Sequence, residues 1–294
     1  MKVTIFTRFW MCCVLFAASV VNSLAADRLV IIGDAVWGGW SISDGIIMSS
    51  TSNDVWKATT HLEADKGFKF LTTNDFGGLE YRAGDSDVTL AVDEATNLVS
   101  SEDNSEDKKF MVSESANYNI VCDLANKTIT VSKADYQDNA IKYNALWMVG
   151  SATSGGWSID QGTQLSQDAT NPLVYTATTY LSTGEFKVAT NKYRDFGQNF
   201  FMRDANDDSK VVLGGDDSKW NITEAGTYDV ALNTADMTIS IVKNVPSSIS
   251  SVEAEVNAPV EYFSLDGKRV NNISAKGLYI KRQGGKAVKV VVVE

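Results

Sequence analysis

Two tryptophans and two lysines stand at matched places in the chain, and they are its best candidates for chemistry. Trp40 lies in the run Gly33 to Gly45, GDAVWGGWSISDG, and Trp157 lies 117 residues later in Gly150 to Gly162, GSATSGGWSIDQG. Each follows a pair of glycines, where a backbone without Cβ atoms is free to carry an indole outward. Lys69 in FKF and Lys187 in FKV follow on strand-like runs, and each is followed by Asp-Phe-Gly, at Asp75 to Gly77 and Asp195 to Gly197. A flat ring beside an ammonium donor on a flexible stem suits a ligand with apolar C–H faces and a rim of hydroxyls, such as a sugar. The same residues equally suit tryptophans that plug a core and lysines that face water, and the pattern alone leaves the two readings even.

Other chemistry finds little support. The one histidine, His61, sits beside Leu62 with no counterpart in the second copy, so a histidine-based triad would have to be built on it alone. One histidine and one cysteine outside the leader cannot make a typical zinc set. Acidic residues abound, so paired carboxylates for glycoside hydrolysis stay open, yet no pair recurs at matched positions. RDANDDSK from Arg203 has the composition of a calcium loop but lacks the glycine and closing glutamate of one, and reads as a solvated turn. No metal, cofactor or catalytic residue is expected.

These residues need elements to hold them, and the repeat says which. Both copies close on matching strand pairs, YNIVCDLANKTITVSK from Tyr118 and YDVALNTADMTISIVK from Tyr228. The chain is therefore two diverged copies of one small domain. Runs rich in Val, Ile, Thr and Tyr alternate with Asn, Asp and Gly turns and leave no amphipathic run long enough for a helix, as in an antiparallel sandwich. LVIIG opens the first copy, Val55 to Leu62 and Gly67 to Thr72 follow, and Glu94 to Lys109 reads as an acidic loop inserted in that copy alone. Cys122, in phase with Tyr118, Ile120 and Leu124, reads as a buried thiol. Trp56 and Trp220, at strand starts, read as packing, whereas Trp37 in the glycine loop is a further binding candidate.

The ends have a different character. Lys2 and Arg8 precede an apolar run from Phe9 to Val21 and the small residues Ser23 to Ala26, which predicts a cleaved secretory signal over 1–26. Its apolar run is shorter than a bilayer span, and Trp10 and Met11 beside Cys12 and Cys13 disfavour a lipoprotein signal. Without it 24 basic and 37 acidic residues remain, a net charge of −13 that argues against nucleic acid as a partner. The first domain is expected over 27–134 and the second over 140–244, joined by the polar Ala134 to Asn144 and followed by a proline-containing linker over 245–258. Residues 259–294 form a C-terminal β module with hairpin turns at Asp266-Gly267 and Gly284-Gly285.

The runs VIIGDAVWGGWSISDG, FKFLTTNDFGG and NYNIVCDLANKTITVSK resemble the starch-binding domains of the SusE and SusF outer-surface proteins of Bacteroidetes. WMVGSATSGGWSIDQG, GEFKVATN and AGTYDVALNTADMTISIVK look like them more strongly. The resemblance implies tandem immunoglobulin-like sandwiches that bind an α-glucan or related polysaccharide without cleaving it. It implies a site of Trp40, Lys69 and an aromatic at Phe76 or Tyr81 in the first copy. In the second it implies Trp157, Lys187 and one of Tyr193, Phe196 or Phe200. The family usually has tryptophan at this third position, where this chain has only phenylalanine or tyrosine. The tail, with Leu265 to Arg269 followed by Gly277 to Ile280, resembles the sorting modules of type IX secretion; a small structural β domain reads equally well. Either way the cell surface or the medium is expected, with glycan-uptake or secretion machinery as further partners. The competing reading is a structural or adhesive surface protein whose repeats are spacers.

Overall fold

The computed structural model describes residues 26–52, 54–244, 259–271, 273, 275–284 and 286–293, and it is all-β. All of the expected signal but its last residue, and the whole expected linker over 245–258, lie outside the described residues. The described residues up to Val242 form one compact unit and those from Lys243 a second.

In the first repeat two sheets face each other. One runs in the order Ile46–Ile47, Val30–Gly33, Phe68–Leu71, Phe110–Met111, Val88–Thr89, with Glu80–Arg82 paired to Phe68–Leu71. The other runs Ser49–Ser52, Val55–Leu62, Ala116–Asp123, Thr128–Lys133, Thr96–Asn97. Pairing between these strands is antiparallel except between Phe110–Met111 and Val88–Thr89. Period-two alternation sends Tyr118, Ile120 and Cys122 inward against Ile31, Phe68 and Phe70, and Trp56 joins the same core. Cys122 is fully buried, which pushes its thiol pKa well up. In the second repeat the chain makes one continuous nine-stranded sheet that folds over at Thr163–Gln167, where the first repeat breaks its strand into Ile46–Ile47 and Ser49–Ser52. Leu146, Met148 and Phe186 from one half then pack on Tyr175, Val230 and Leu232 from the other, with Trp220 among them.

Each closing strand pair begins at a tyrosine corner. The Tyr118 hydroxyl donates to the Glu114 carbonyl at 2.9 Å, and the Tyr228 hydroxyl to that of Glu224 at 2.7 Å. The C-terminal unit repeats the device, Tyr279 donating to Ala275 at 2.9 Å. Such corners are a hallmark of immunoglobulin-like sandwiches.

One expectation needs correction. The run Glu94 to Lys109 is not all loop, because Thr96–Asn97 and Val99–Ser100 add strands to the two sheets and Leu98 between them is fully buried. Strands of two residues are too short to show alternation. The connector Ala134 to Asn144 is polar but pinned. Buried Asn117 donates to the carbonyls of Tyr136 and Asn139 and accepts from the Ile141 amide, and Ile141 and Tyr143 are buried.

The pinning serves a broad junction between the repeats. Val30 and Ile47 pack against Ala145, Trp147, Val149, Ile159, Ala189, Phe200 and Met202. Leu29 and Ile31 meanwhile face their own core, as do Leu146 and Met148, so both opening strands are buried on both faces. That is why LVIIG and ALWMVG read as unbroken apolar runs rather than alternating ones. Each large apolar side chain fully buried there contributes about 1.5–3 kcal/mol.

The C-terminal unit is a four-stranded antiparallel sheet in the order Arg269–Val270, Val260–Ser264, Gly277–Gln283, Lys286–Val292. Gly267 supplies the positive φ of 82° in its first hairpin.

Candidate functional site

The glycine loop is built identically in the two repeats. Its first glycine, Gly33 or Gly150, has φ of 141° or 152°, and a Cβ there would stand 2.2 or 2.1 Å from the carbonyl oxygen of Gly67 or Glu185. Only glycine lets the loop lie this close to the strand that carries the lysine. The loop closes through the Gly33 amide to the Gly39 carbonyl at 3.0 Å and the Gly150 amide to the Gly156 carbonyl at 2.8 Å. The tryptophan follows at once: Trp157 is 38% exposed and Trp40 is half-buried.

The lysines do not face water. Lys69 and Lys187 are buried, opposite Ile32 and Val149 in the sheet. Each ammonium group meets an aspartate: Lys69 Nζ lies 2.9 Å from Asp107 Oδ1, and Lys187 Nζ 2.9 Å from Asp217 Oδ1. A second lysine closes the clamp, Lys109 at 2.9 Å from Asp107 and Lys219 at 2.8 Å from Asp217. This second lysine, not the first, lies over the indole. Lys109 Nζ is 5.5 Å from the Trp40 ring centroid and Lys219 Nζ 5.8 Å from that of Trp157, within cation–π reach. Burial works to raise the Asp107 carboxyl, but hydrogen bonds from Lys109 and Lys69 and their charges outweigh it and hold its pKa at about 2. Asp217 is held low by hydrogen bonds first from Lys219 and then from Lys187.

The clamp carries a signal that sequence reasoning missed. Asp107-Lys108-Lys109-Phe110 and Asp217-Ser218-Lys219-Trp220 share an Asp-x-Lys-aromatic pattern. Phe110 pairs with Phe68 and Trp220 with Phe186, each next to the strand lysine, which places the aspartate and second lysine alike in both copies.

The third position resolves differently at each candidate. Phe196 is 51% exposed, with its centroid 6.4 Å from that of Trp157 and 5.1 Å from Lys187 Nζ. Phe200 is buried behind it, stacked at 5.8 Å, with Lys187 Nζ 4.1 Å from its ring. Tyr193 is drawn aside to the repeat junction, where the Arg28 guanidinium covers its ring at 4.2 Å. In the first copy Phe76 is exposed, 5.8 Å from Lys69 Nζ. Tyr81 is not brought to the lysine: it pairs with Phe70 and packs against the first core, on the far face of the sheet. Trp37 rests edge-on against Tyr143 at 5.1 Å and lines a separate groove of about 640 Å³ with His61 and Lys142.

One substitution separates the copies. Glu80 pairs with Leu71 where Phe200 pairs with Ala189, so the first copy sets a buried carboxylate where the second has a ring. Glu80 takes Lys69 Nζ at 2.7 Å and Arg82 at 3.1 Å. Lys69 thus spends two of its three N–H donors on carboxylates, and Lys187 spends one. Among the described residues no group of three or more His, Cys, Asp or Glu side chains is placed to hold a metal ion.

Residues 145–240 match the family described as "SusF/SusE starch specific CBMs", that is, carbohydrate-binding modules. The second repeat is accordingly SusF/SusE-like, and the family is one of binding modules rather than of enzymes. Among solved structures, the chain is similar to SusF from Bacteroides thetaiotaomicron with a TM-score of 0.31 and 14% identity, over 88% of this chain and 57% of that one. The chain thus spans little more than half the length of that protein. No curated protein matches the chain.

Proposed function

We propose that this chain is an exported, non-catalytic starch-binding protein with one shallow aromatic site in each of its two repeats, at 27–134 and 140–244. The observation that carries the reading is the pair Trp157 and Phe196, two rings left open to solvent at 6.4 Å with the Lys187 and Lys219 ammonium groups beside them. Rings seat the C–H face of a pyranose, and the partly exposed Lys219 ammonium at their edge has an N–H left for a hydroxyl, while buried Lys187 holds Phe196 and Phe200 in place. The match of this repeat to starch-specific modules supports the ligand class. Trp40, Lys109, Lys69 and Phe76 form the corresponding first site, and Glu80 makes it the weaker one.

A single shallow platform binds at about a millimolar, or about 4 kcal/mol. Two sites on one polymer raise the avidity by a factor on the order of 100 where geometry lets both engage. The secretory leader and the C-terminal module over 259–294 support a place at the cell surface or in the medium, beside glycan-uptake or secretion machinery. Replacing Trp40 and Trp157 together with alanine is expected to abolish retardation on starch-containing native gels. Unchanged retardation of a folded double variant overturns the proposal.

A further inference from the structure

Beside the Trp157–Phe196 pair runs a groove of about 450 Å³, and its walls come from both repeats: Trp157, Phe196, Lys192 and Arg194 from the second, Arg28 and Asn74 from the first. The volume lies in the range of small-molecule sites, roughly 300–1,000 Å³. The first repeat's contribution is held in place. The Arg28 guanidinium donates to Asn74 Oδ1 at 3.0 Å, Asn74 donates through its amide to the Tyr193 carbonyl, and the Tyr193 hydroxyl donates to the Asp27 carbonyl at 3.3 Å.

The groove also holds unspent charge. Although the chain is strongly acidic, Arg28, Lys192 and Arg194 form no ion pair among the described residues. Asp160 and Asp195 share the rim, so donors and acceptors are both on offer. Mixed donors and acceptors around exposed rings suit the paired hydroxyls of a neutral sugar.

We infer that this groove is an extension of the second platform, completed by Arg28 and Asn74 of the first repeat, which takes further residues of a linear neutral glucan. The inference rests on reading Trp157 and Phe196 as a sugar platform. It makes the second site a property of the tandem, with selectivity for longer chains supplied in part by the neighbouring repeat.

The test is titration calorimetry of the mature chain carrying Trp40→Ala and Phe76→Ala, which removes both rings of the first platform, with maltotriose and maltoheptaose as probes. Maltoheptaose is expected to bind more tightly than maltotriose. Arg28→Ala lowers the maltoheptaose affinity about tenfold, the effect of one charge-assisted hydrogen bond, Asn74→Ala lowers it about two- to tenfold, the effect of a neutral one, and both leave that for maltotriose in place. An unchanged heptaose-to-triose ratio in both variants overturns the inference and leaves the platform standing. Adding Trp157→Ala is expected to abolish both affinities; binding that survives it overturns the platform and the groove together. Should Arg28→Ala unfold the junction, seen as a lost melting transition, Arg28→Lys keeps a cation beside Tyr193 but loses the planar fork. A selective loss of maltoheptaose affinity then supports the inference, and wild-type behaviour with both sugars overturns it.

Discussion

Trp157→Ala and Trp40→Ala separate the two platforms, and their unequal cost follows from exposure. A tryptophan offers about 150–250 Å² to a partner, and 38% of that at Trp157 is about 60–95 Å². Covering this area with a sugar face at about 25 cal/mol per Å² contributes about 1.5–2.4 kcal/mol. Its loss weakens binding by about 10- to 50-fold, roughly half of what a millimolar site has. Trp40 is more buried and has less ring to lose, and Lys69 beside it is already held by Glu80 and Asp107. Calorimetry with maltoheptaose is therefore expected to show a large loss for Trp157→Ala and a several-fold smaller one for Trp40→Ala. Trp157 stands outside the core clusters, so its removal should move the melting temperature little. Equal losses, or a larger one at Trp40, refute the idea that ring exposure and free ammonium donors rank the sites.

Two predictions concern the ion cluster of the first repeat. Glu80→Gln leaves buried Lys69 and Arg82 sharing Asp107 alone, and breaking a buried pair in this way costs about 3 kcal/mol. For a unit of this size that lowers the melting temperature by about 6–12 °C, and an unchanged melting temperature contradicts the cluster's role. Asp107, held at about 2 when folded, returns to about 3.9 when unfolded. Its contribution is complete above the unfolded value and is lost as pH falls through the folded one. Because the side chain is more than half exposed, screening limits this contribution to under about 1 kcal/mol. Urea midpoints measured from pH 5 to pH 2 should fall less steeply in Asp107→Asn than in the parent chain, and parallel slopes refute the assignment.

The all-β class and the packing of Cys122, Trp56 and Trp220 were legible because each rests on local periodicity. The candidate site was legible in part. The rings and an ammonium group do meet, but the lysine over each indole is Lys109 or Lys219. Its Asp-x-Lys-aromatic signature is two short matches in a chain crowded with aspartate and lysine. Tyr81 shows the limit of spacing: the register that opposes it to Phe70 puts it on the far face, and register is not written in the distance from Lys69. Tyr193 was drawn away by Arg28, far off in sequence and in the other repeat. The junction left a readable trace, since LVIIG and ALWMVG lack the alternation that a strand with one wet face requires.

The junction and the asymmetry belong together. Phe200, which stands where the first copy has Glu80, belongs to the apolar cluster between the repeats and also backs Phe196 at 5.8 Å. One ring therefore seals the junction, supports the exposed platform and leaves Lys187 with a single carboxylate partner. Its counterpart Glu80 lies with Arg82 and Lys69 in a buried cluster of charges and takes one of the Lys69 N–H donors. Divergence at this one strand position thus contributes both to the junction and to the difference between the two candidate sites. A glutamate at position 200 would cost the junction an apolar contact and the platform its backing at once, so the two properties are held by the same side chain.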